Sequence, residues 1–268
     1  MTNGPPALRA LGFCGADDSV HPNMLVLLAK AYPFVEFGVL FRPDKQGQPR
    51  YASPHWVERL VRLKHKLANH TDVQLAAHLC GTRVDEVLAG DGSFLQELQG
   101  WGFKRIQINA TPVNGVNTSC LKESVPTVLS LIQQYPDLEF ILQRNEETKP
   151  LWQGILDAGS VPANVSMLMD ESKGTGKAMS STWPTPPLSN AGVYEIGYAG
   201  GIGPETIADV LVQVIEHRAV TGRSVWIDME SRLRSIKNDQ DIFDLDKCYQ
   251  VIDAVCQAGL YSHPEYLS

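Results

Sequence analysis

The stretch Glu195-Ile196-Gly197-Tyr198-Ala199-Gly200-Gly201-Ile202-Gly203-Pro204-Glu205 is the place from which the fold is read. A short apolar run ends in two glycines. Gly203-Pro204 then opens an amphipathic segment in which Ile207, Val210, Leu211, Val214 and Ile215 share one face. Strand, glycine turn and helix in that order form the unit of a parallel βαβ fold. Glycines directly after a strand let the backbone come close to a ligand. A helix start at that point offers N–H groups and the positive end of a dipole to an anion such as phosphate. Glycine is also common in plain strand-to-helix turns, so the run takes its meaning from its place in the chain.

The same alternation recurs on both sides of it. Short runs rich in apolar or β-branched residues at 8–14, 35–41, 73–78, 105–109, 139–143, 165–170, 195–199 and 224–228 read as eight buried parallel strands. Between them lie helical segments. Residues 54–68 put Trp56, Val57, Leu60, Val61 and Leu67 on one face, with Ser53 as the cap and Pro54 in the first turn. Residues 245–257 do the same with Cys248, Tyr249, Ile252 and Cys256. Eight such units in 268 residues favour a single α/β (β/α)8 TIM barrel over an open doubly wound sheet, since these barrels take about 250 residues. With no linker or shift in composition, residues 1–268 read as one domain. The glycine run then follows the seventh strand, where barrels often bind phosphate. The long irregular stretch 171–191, dense in Ser, Thr, Gly and Pro, follows the sixth strand and has the length of a functional loop or lid.

The net charge of -7 argues against nucleic acid or an anionic membrane as a general partner. No stretch approaches 18 uninterrupted apolar residues, so no membrane span is expected. Five cysteines without a CxxC pair, and a start lacking a long apolar run, lead to an expectation of reduced thiols in the cytoplasm. The expected partner is a small phosphorylated substrate, and the chain is compatible with a homodimer. No cofactor and no metal are expected: His78 and Cys80 stand two apart without further ligands.

Active sites of such barrels form at the C-terminal ends of the strands. The polar residues there are Cys14 after the first, Arg50 in the loop after the second, and His78 at the end of the third. Gln107 and Asn109 lie on the fourth, Gln143 and Asn145 on or after the fifth, and Asp170 ends the sixth. Gly200, Gly201 and Gly203 follow the seventh, and Asp228, Ser231 and Arg232 close the eighth.

In order along the chain, Gly12-Phe13-Cys14-Gly15, Pro49-Arg50-Tyr51-Ala52-Ser53, Gln107, Met169-Asp170 with Gly174-Thr175-Gly176-Lys177, Trp183, Ala199 to Glu205, and Asp228 with Ser231 form a pattern. It resembles phosphoribosylanthranilate isomerase, a family of ribulose-phosphate-binding barrels. The resemblance implies an aldose-to-ketose isomerase of tryptophan biosynthesis, performing an Amadori rearrangement without metal or cofactor. It implies Cys14 as general base, Asp170 as general acid and Arg50 as the holder of the substrate's acidic part. Gln107 falls on the family's fourth-strand glutamine. Gly200, Gly201, Gly203, Asp228 and Ser231 fall on its phosphate turns, where Lys173, Lys177 and Arg232 could add charge. This chemistry asks for a carboxylic acid with a raised pKa and for a thiol lowered by positive charge or donors. The chain departs from the family at Asn109, where a His is usual, and at Arg232, where a Gly is usual. The residues His78, Asn109, Gln143 and Asn145 point to an altered substrate pocket. Three readings stand: the isomerase itself, a related enzyme acting on another phosphorylated compound, and a non-catalytic barrel that binds a phosphorylated ligand.

Overall fold

Eight runs of apolar and β-branched residues are each long enough for one strand and too short for much else. In the computed structural model, which describes residues 7–68, 72–159, 161–170 and 194–264, they close into one parallel barrel in sequence order. The strands are β1 (Leu8–Cys14), β2 (Val35–Phe41), β3 (Gln74–Leu79), β4 (Arg105–Ile108), β5 (Glu139–Arg144), β6 (Val165–Met169), β7 (Glu195–Tyr198) and β8 (Val225–Met229). Closure pairs β1 with β8, with Gly12 opposite Asp228 and Phe13 opposite Met229. The expected (β/α)8 architecture is therefore the observed one.

The helices are α1 (Pro22–Ala31), α2 (Pro54–Leu67), α3 (Thr82–Leu88), α4 (Ser93–Gly100), α5 (Val125–Gln134), α6 (Lys149–Asp157), α7 (Ile207–Thr221) and α8 (Leu245–Gln257). Ser53 caps α2 as expected, its Oγ accepting from the Trp56 N–H at 3.2 Å. Two apolar stripes are rotated slightly from their sequence reading. In α7, Ile215 lies outside the buried set of Ile207, Val210, Leu211 and Val214. In α8, Val251 and Val255 join Cys248 and Ile252 in the core while Tyr249 is exposed. Helix α7 begins at Ile207 rather than at Gly203-Pro204. Between β8 and α8 the chain forms a feature the sequence reading did not contain: the antiparallel pair β9 (Arg234–Lys237) and β10 (Gln240–Phe243). Its two-residue turn, Asn238-Asp239, has φ of +50° and +60°, as a type I′ hairpin requires. No helix among the described residues is long and apolar enough to cross a membrane.

The main apolar core lies between the strands and the helices. Inside the barrel, strand alternation stacks side chains in layers. The bottom layer is charged: Arg105 bonds Glu36 at 2.7 Å and Glu139 at 3.2 Å, and Arg9 bonds Glu139 at 2.8 Å. Above it an apolar plug of Ala10, Ile141, Leu168, Ala199 and Trp226 seals the interior. The Trp226 ring carries the Arg105 guanidinium 4.3 Å from its centroid. Gly197 makes room for that ring, since a Cβ there would meet Trp226 Cε2 at 2.0 Å.

Candidate active site at the C-terminal mouth of the barrel

Two residues further up each strand, the same alternation turns polar groups into the mouth. Cys14 follows Ala10 and Gly12 on β1, His78 follows Ala76 on β3, and Asp228 follows Trp226 on β8. All three are buried, and their donor atoms lie within 4.8 Å of one another. The Cys14 thiol donates to Asp228 Oδ1 at 2.6 Å, and Cys14 Sγ is 3.5 Å from His78 Nε2. Two glycines clear this space. A Cβ on Gly12 would meet Asp228 Oδ1 at 2.4 Å, and one on Gly38 would meet Cys14 Sγ at 2.4 Å and His78 Nε2 at 2.8 Å.

The electrostatics differ from the sequence expectation for Cys14. Burial, then the neighbouring Asp228 carboxylate, push its thiol well above the ordinary range. Glu230 and Glu36 act in the same direction, so the environment is anionic rather than cationic. Burial also raises Asp228, to about 8, with the thiol hydrogen bond opposing the rise. Burial, with Arg105 below, depresses His78 to about 3, so the imidazole is neutral. Both members of the Cys14–Asp228 pair are therefore held toward their protonated forms, with the thiol hydrogen-bonded to the carboxyl.

On the other side of the mouth, Asp170 at the end of β6 is buried and accepts from Gln143 Nε2 at 2.7 Å. Gln107 donates to Asn109 Oδ1 at 2.8 Å, and Asn109 Nδ2 reaches Cys80 Sγ at 3.6 Å. Gln143 Oε1 is buried without a hydrogen-bond partner among the described residues. Buried polar atoms are rarely left so, and Gln143 lines the cleft together with Gln107, Asn109, His78, Asp170 and Asp228. Asn145 stands apart from that lining. Its Oδ1 accepts from the Glu147 and Thr148 N–H groups at 3.0 and 3.1 Å, which makes it a turn residue ahead of α6.

At the rim, Arg50 has φ of +77°, a conformation costing a non-glycine residue about 1–3 kcal/mol. Asp17 holds it there by accepting its N–H at 2.6 Å. The Arg50 guanidinium lies 3.1 Å from Glu230 and 3.0 Å from Ser231 Oγ. Asp17 also forms a buried ion pair with Arg234 at 2.7 Å, and Arg234 bonds Asp241 at 2.7 Å and the Gly15 carbonyl at 2.7 Å. The β9–β10 hairpin is thereby stapled to the loops after β1 and β2. Sequence reading gives no role to Asp17, Glu230 and Arg234, because each gains one only from partners far along the chain.

The expected phosphate turns are partly rearranged. Gly200 and Gly201 line the cleft with φ of +106° and +64°. Gly203 does not offer its N–H, which donates to Thr206 Oγ1 at 3.1 Å. Its role is steric, because a Cβ there would meet Arg232 Cβ at 2.4 Å. Arg232 pairs with Glu205 at 3.5 Å, and Ser231 is engaged by Arg50. Asp228 turns inward to Cys14 instead of outward to the glycine turn. Lys173, Lys177, Trp183 and the loop 171–191 lie outside the described residues.

No protein-family model and no curated protein matches the chain. Solved structures do resemble it. A Rubisco-like protein from Rhodopseudomonas palustris has a TM-score of 0.51 at 12% identity, over 95% of this chain and 65% of that one. 3-Hexulose-6-phosphate synthase from Salmonella typhimurium has a TM-score of 0.48 at 13% identity, over 93% of this chain and 99% of that one. A family 18 chitinase from Crocus vernus has a TM-score of 0.49 at 11% identity, over 94% and 99%. The likeness to the Rubisco-like protein, at 12% identity, speaks to the barrel fold alone, and one barrel hosts many chemistries.

Proposed function

We propose that the chain is an acid–base isomerase of the phosphoribosylanthranilate isomerase type, acting on a small phosphorylated aldosylamine. The observation that carries this reading is the buried contact of 2.6 Å between Cys14 Sγ and Asp228 Oδ1, with Asp228 and Asp170 both lining the cleft and Cys14 directly behind Asp228. Asp170 would give its proton to the ring oxygen as the C1–O bond breaks and the nitrogen lone pair forms an iminium at C1. Sγ would then take the C2 proton while the thiol hydrogen passes to Asp228 in its ionised form, so this relay would gain as pH rises toward 8, the value to which burial lifts that carboxyl. The C–H electron pair becomes the C1–C2 double bond of an enolamine, which tautomerises to the ketone. Gln143 holds the Asp170 carboxyl in place. The backbone at Gly200 and Gly201, with Ser231 and Arg232, is where the phosphate would sit. Arg50 would leave Glu230 to meet the substrate's acidic group.

The test is fluorescence-monitored consumption of freshly prepared phosphoribosylanthranilate by wild type, Cys14→Ser, Asp170→Asn and Asp228→Asn. General acid–base groups contribute about 100- to 10,000-fold, so each variant should lose at least two orders of magnitude. No turnover by folded wild type would overturn the reading. A second reading, a related enzyme with another phosphorylated substrate, is favoured by Asn109 being tied to Gln107 and by Arg232 packing over Gly203. It predicts stabilisation by phosphorylated ligands in a thermal-shift screen without anthranilate turnover.

A further inference from the structure

We propose that Cys14, His78 and Asp228 also form a binding site for one thiophilic divalent cation of the zinc class. Sγ, Nε2 and Oδ1 arrive from three different strands, β1, β3 and β8, and converge within 4.8 Å. A tetrahedral ion with bonds of about 2.3 Å to sulfur and 2.0 Å to nitrogen or oxygen sets its ligand atoms roughly 3.5 Å apart. The Sγ–Nε2 separation is 3.5 Å, so this edge is already formed. The Sγ–Oδ1 separation is 2.6 Å, the length of the hydrogen bond that occupies it. Replacing the thiol proton by a metal ion asks the Asp228 carboxylate to withdraw by about 1 Å.

The site has room for this donor set because β-carbons are missing where they would intrude. Gly38 leaves the space around Sγ and Nε2 open, and Gly12 does the same around Oδ1. One thiolate and one carboxylate balance the charge of a divalent ion, which a buried position demands. The mixture of sulfur, imidazole and carboxylate suits zinc-class ions over hard magnesium or calcium. Three protein ligands leave a fourth position, and His78 and Asp228 both face the cleft. That is the open arrangement of a catalytic or regulatory site, whereas structural zinc is closed by four protein ligands. Binding exchanges the thiol proton for the ion, with the proton released to solvent. The inference goes beyond the isomerase reading and does not depend on it. If both hold, the ion ties up the group that takes the C2 proton and acts as an inhibitor.

The experiment is a titration of the full chain with Co²⁺ alone, in the absence of substrate. The expected result is one bound equivalent with a thiolate-to-cobalt charge-transfer band and the strong visible bands of a tetrahedral ion, all reversed by Zn²⁺. Cys14→Ser should abolish the charge-transfer band, and His78→Gln should weaken binding at least 10-fold. Cys120→Ser, which removes an exposed thiol, should change nothing. Circular dichroism checks that each variant is folded, and the His78→Gln titration decides the matter should Cys14→Ser fail to fold. Absence of these bands with folded wild type, or bands that persist unchanged in His78→Gln, would overturn the proposal. Because no substrate is present, a failed isomerase assay leaves this result standing, and the reverse is equally true.

Discussion

Replacing Gly38 by alanine tests whether the mouth of the barrel works as described. The added Cβ would lie 2.4 Å from Cys14 Sγ, 2.8 Å from His78 Nε2 and 3.0 Å from Cys14 Cβ, where ordinary contacts begin at 3.4 Å. Sγ must therefore retreat by about 1 Å and the imidazole by rather more than half of that. A rotamer change does not suffice, since the Cys14 Cβ is itself crowded and β1 must shift against β2. Cys14 is buried outside the cleft lining and has less freedom to retreat than His78, which borders the cleft. Overpacking of this kind costs about 1–3 kcal/mol, and a chain of this size loses about 2–4 °C per kcal/mol. The expected drop in Tm is thus about 2–12 °C. The functional loss should be larger. Displacing a reacting atom by about 1 Å is worth on the order of 100-fold, so kcat/KM in the anthranilate fluorescence assay should fall by that factor in protein that is still folded. Urea midpoints give the stability arm at unchanged m-value. A variant with wild-type midpoint and kcat/KM within threefold of wild type would refute the claim that Gly38 exists to let Cys14, His78 and Asp228 meet.

Three further outcomes follow from the same geometry. Arg234→Met should cost about 3–5 kcal/mol in urea unfolding, because it strands the buried Asp17 carboxylate that now sits 2.7 Å from the guanidinium; a cost under 1 kcal/mol would count against the hairpin staple. Gly197→Ala should destabilise by about 3 kcal/mol or more, and Trp226→Leu in the same chain should recover part of that loss, since the clash is with this ring; additive losses would rule the clash out. For Glu139, burial opposes ionisation, but Arg105, Arg9 and Ser166 outweigh it and hold the carboxyl at about 2, below its ordinary 4.5. A depressed carboxylate stabilises the fold above its unfolded pKa and loses that contribution as pH falls through the folded one. The stability gap between wild type and Glu139→Gln should therefore be full above pH 4.5 and close between pH 4.5 and 2, and a gap independent of pH would contradict the ion-pair account.

Much of the scaffold is legible without coordinates. The segments 8–14 and 35–41 coincide with β1 and β2, and the other strands agree to within about two residues at either end. Their apolar runs can be buried on both faces only in a parallel sheet covered by helices. The Ser53-Pro54 start of α2 is equally plain, because cap chemistry is local. What was missed is of another kind. The type I′ turn at Asn238-Asp239 had a local signal, but short alternating strands at the end of an α/β chain are masked by the stronger periodicity around them. The start of α7 moved because Thr206 Oγ1 takes the Gly203 N–H and holds the Gly201 carbonyl at 3.0 Å, closing a turn ahead of the helix.

The site divides along the same line. Residue type and position at a strand end bring out His78, Gln107, Gln143, Asp170 and Asp228, which line the cleft, and Cys14 behind them, because strand alternation decides which side chains enter a barrel. Pairing does not follow from those facts. His78 stands two residues from Cys80 yet meets Cys14, and Cys14 meets Asp228, 214 positions away. That last contact exists because β1 and β8 close the barrel with Gly12 opposite Asp228. Burial of the converging groups then raises the thiol and the carboxyl together. Local sequence therefore shows which polar groups stand at the strand ends. Only closure of the sheet decided which of them touch, because contact distance depends on strand register and shear, quantities no single strand contains.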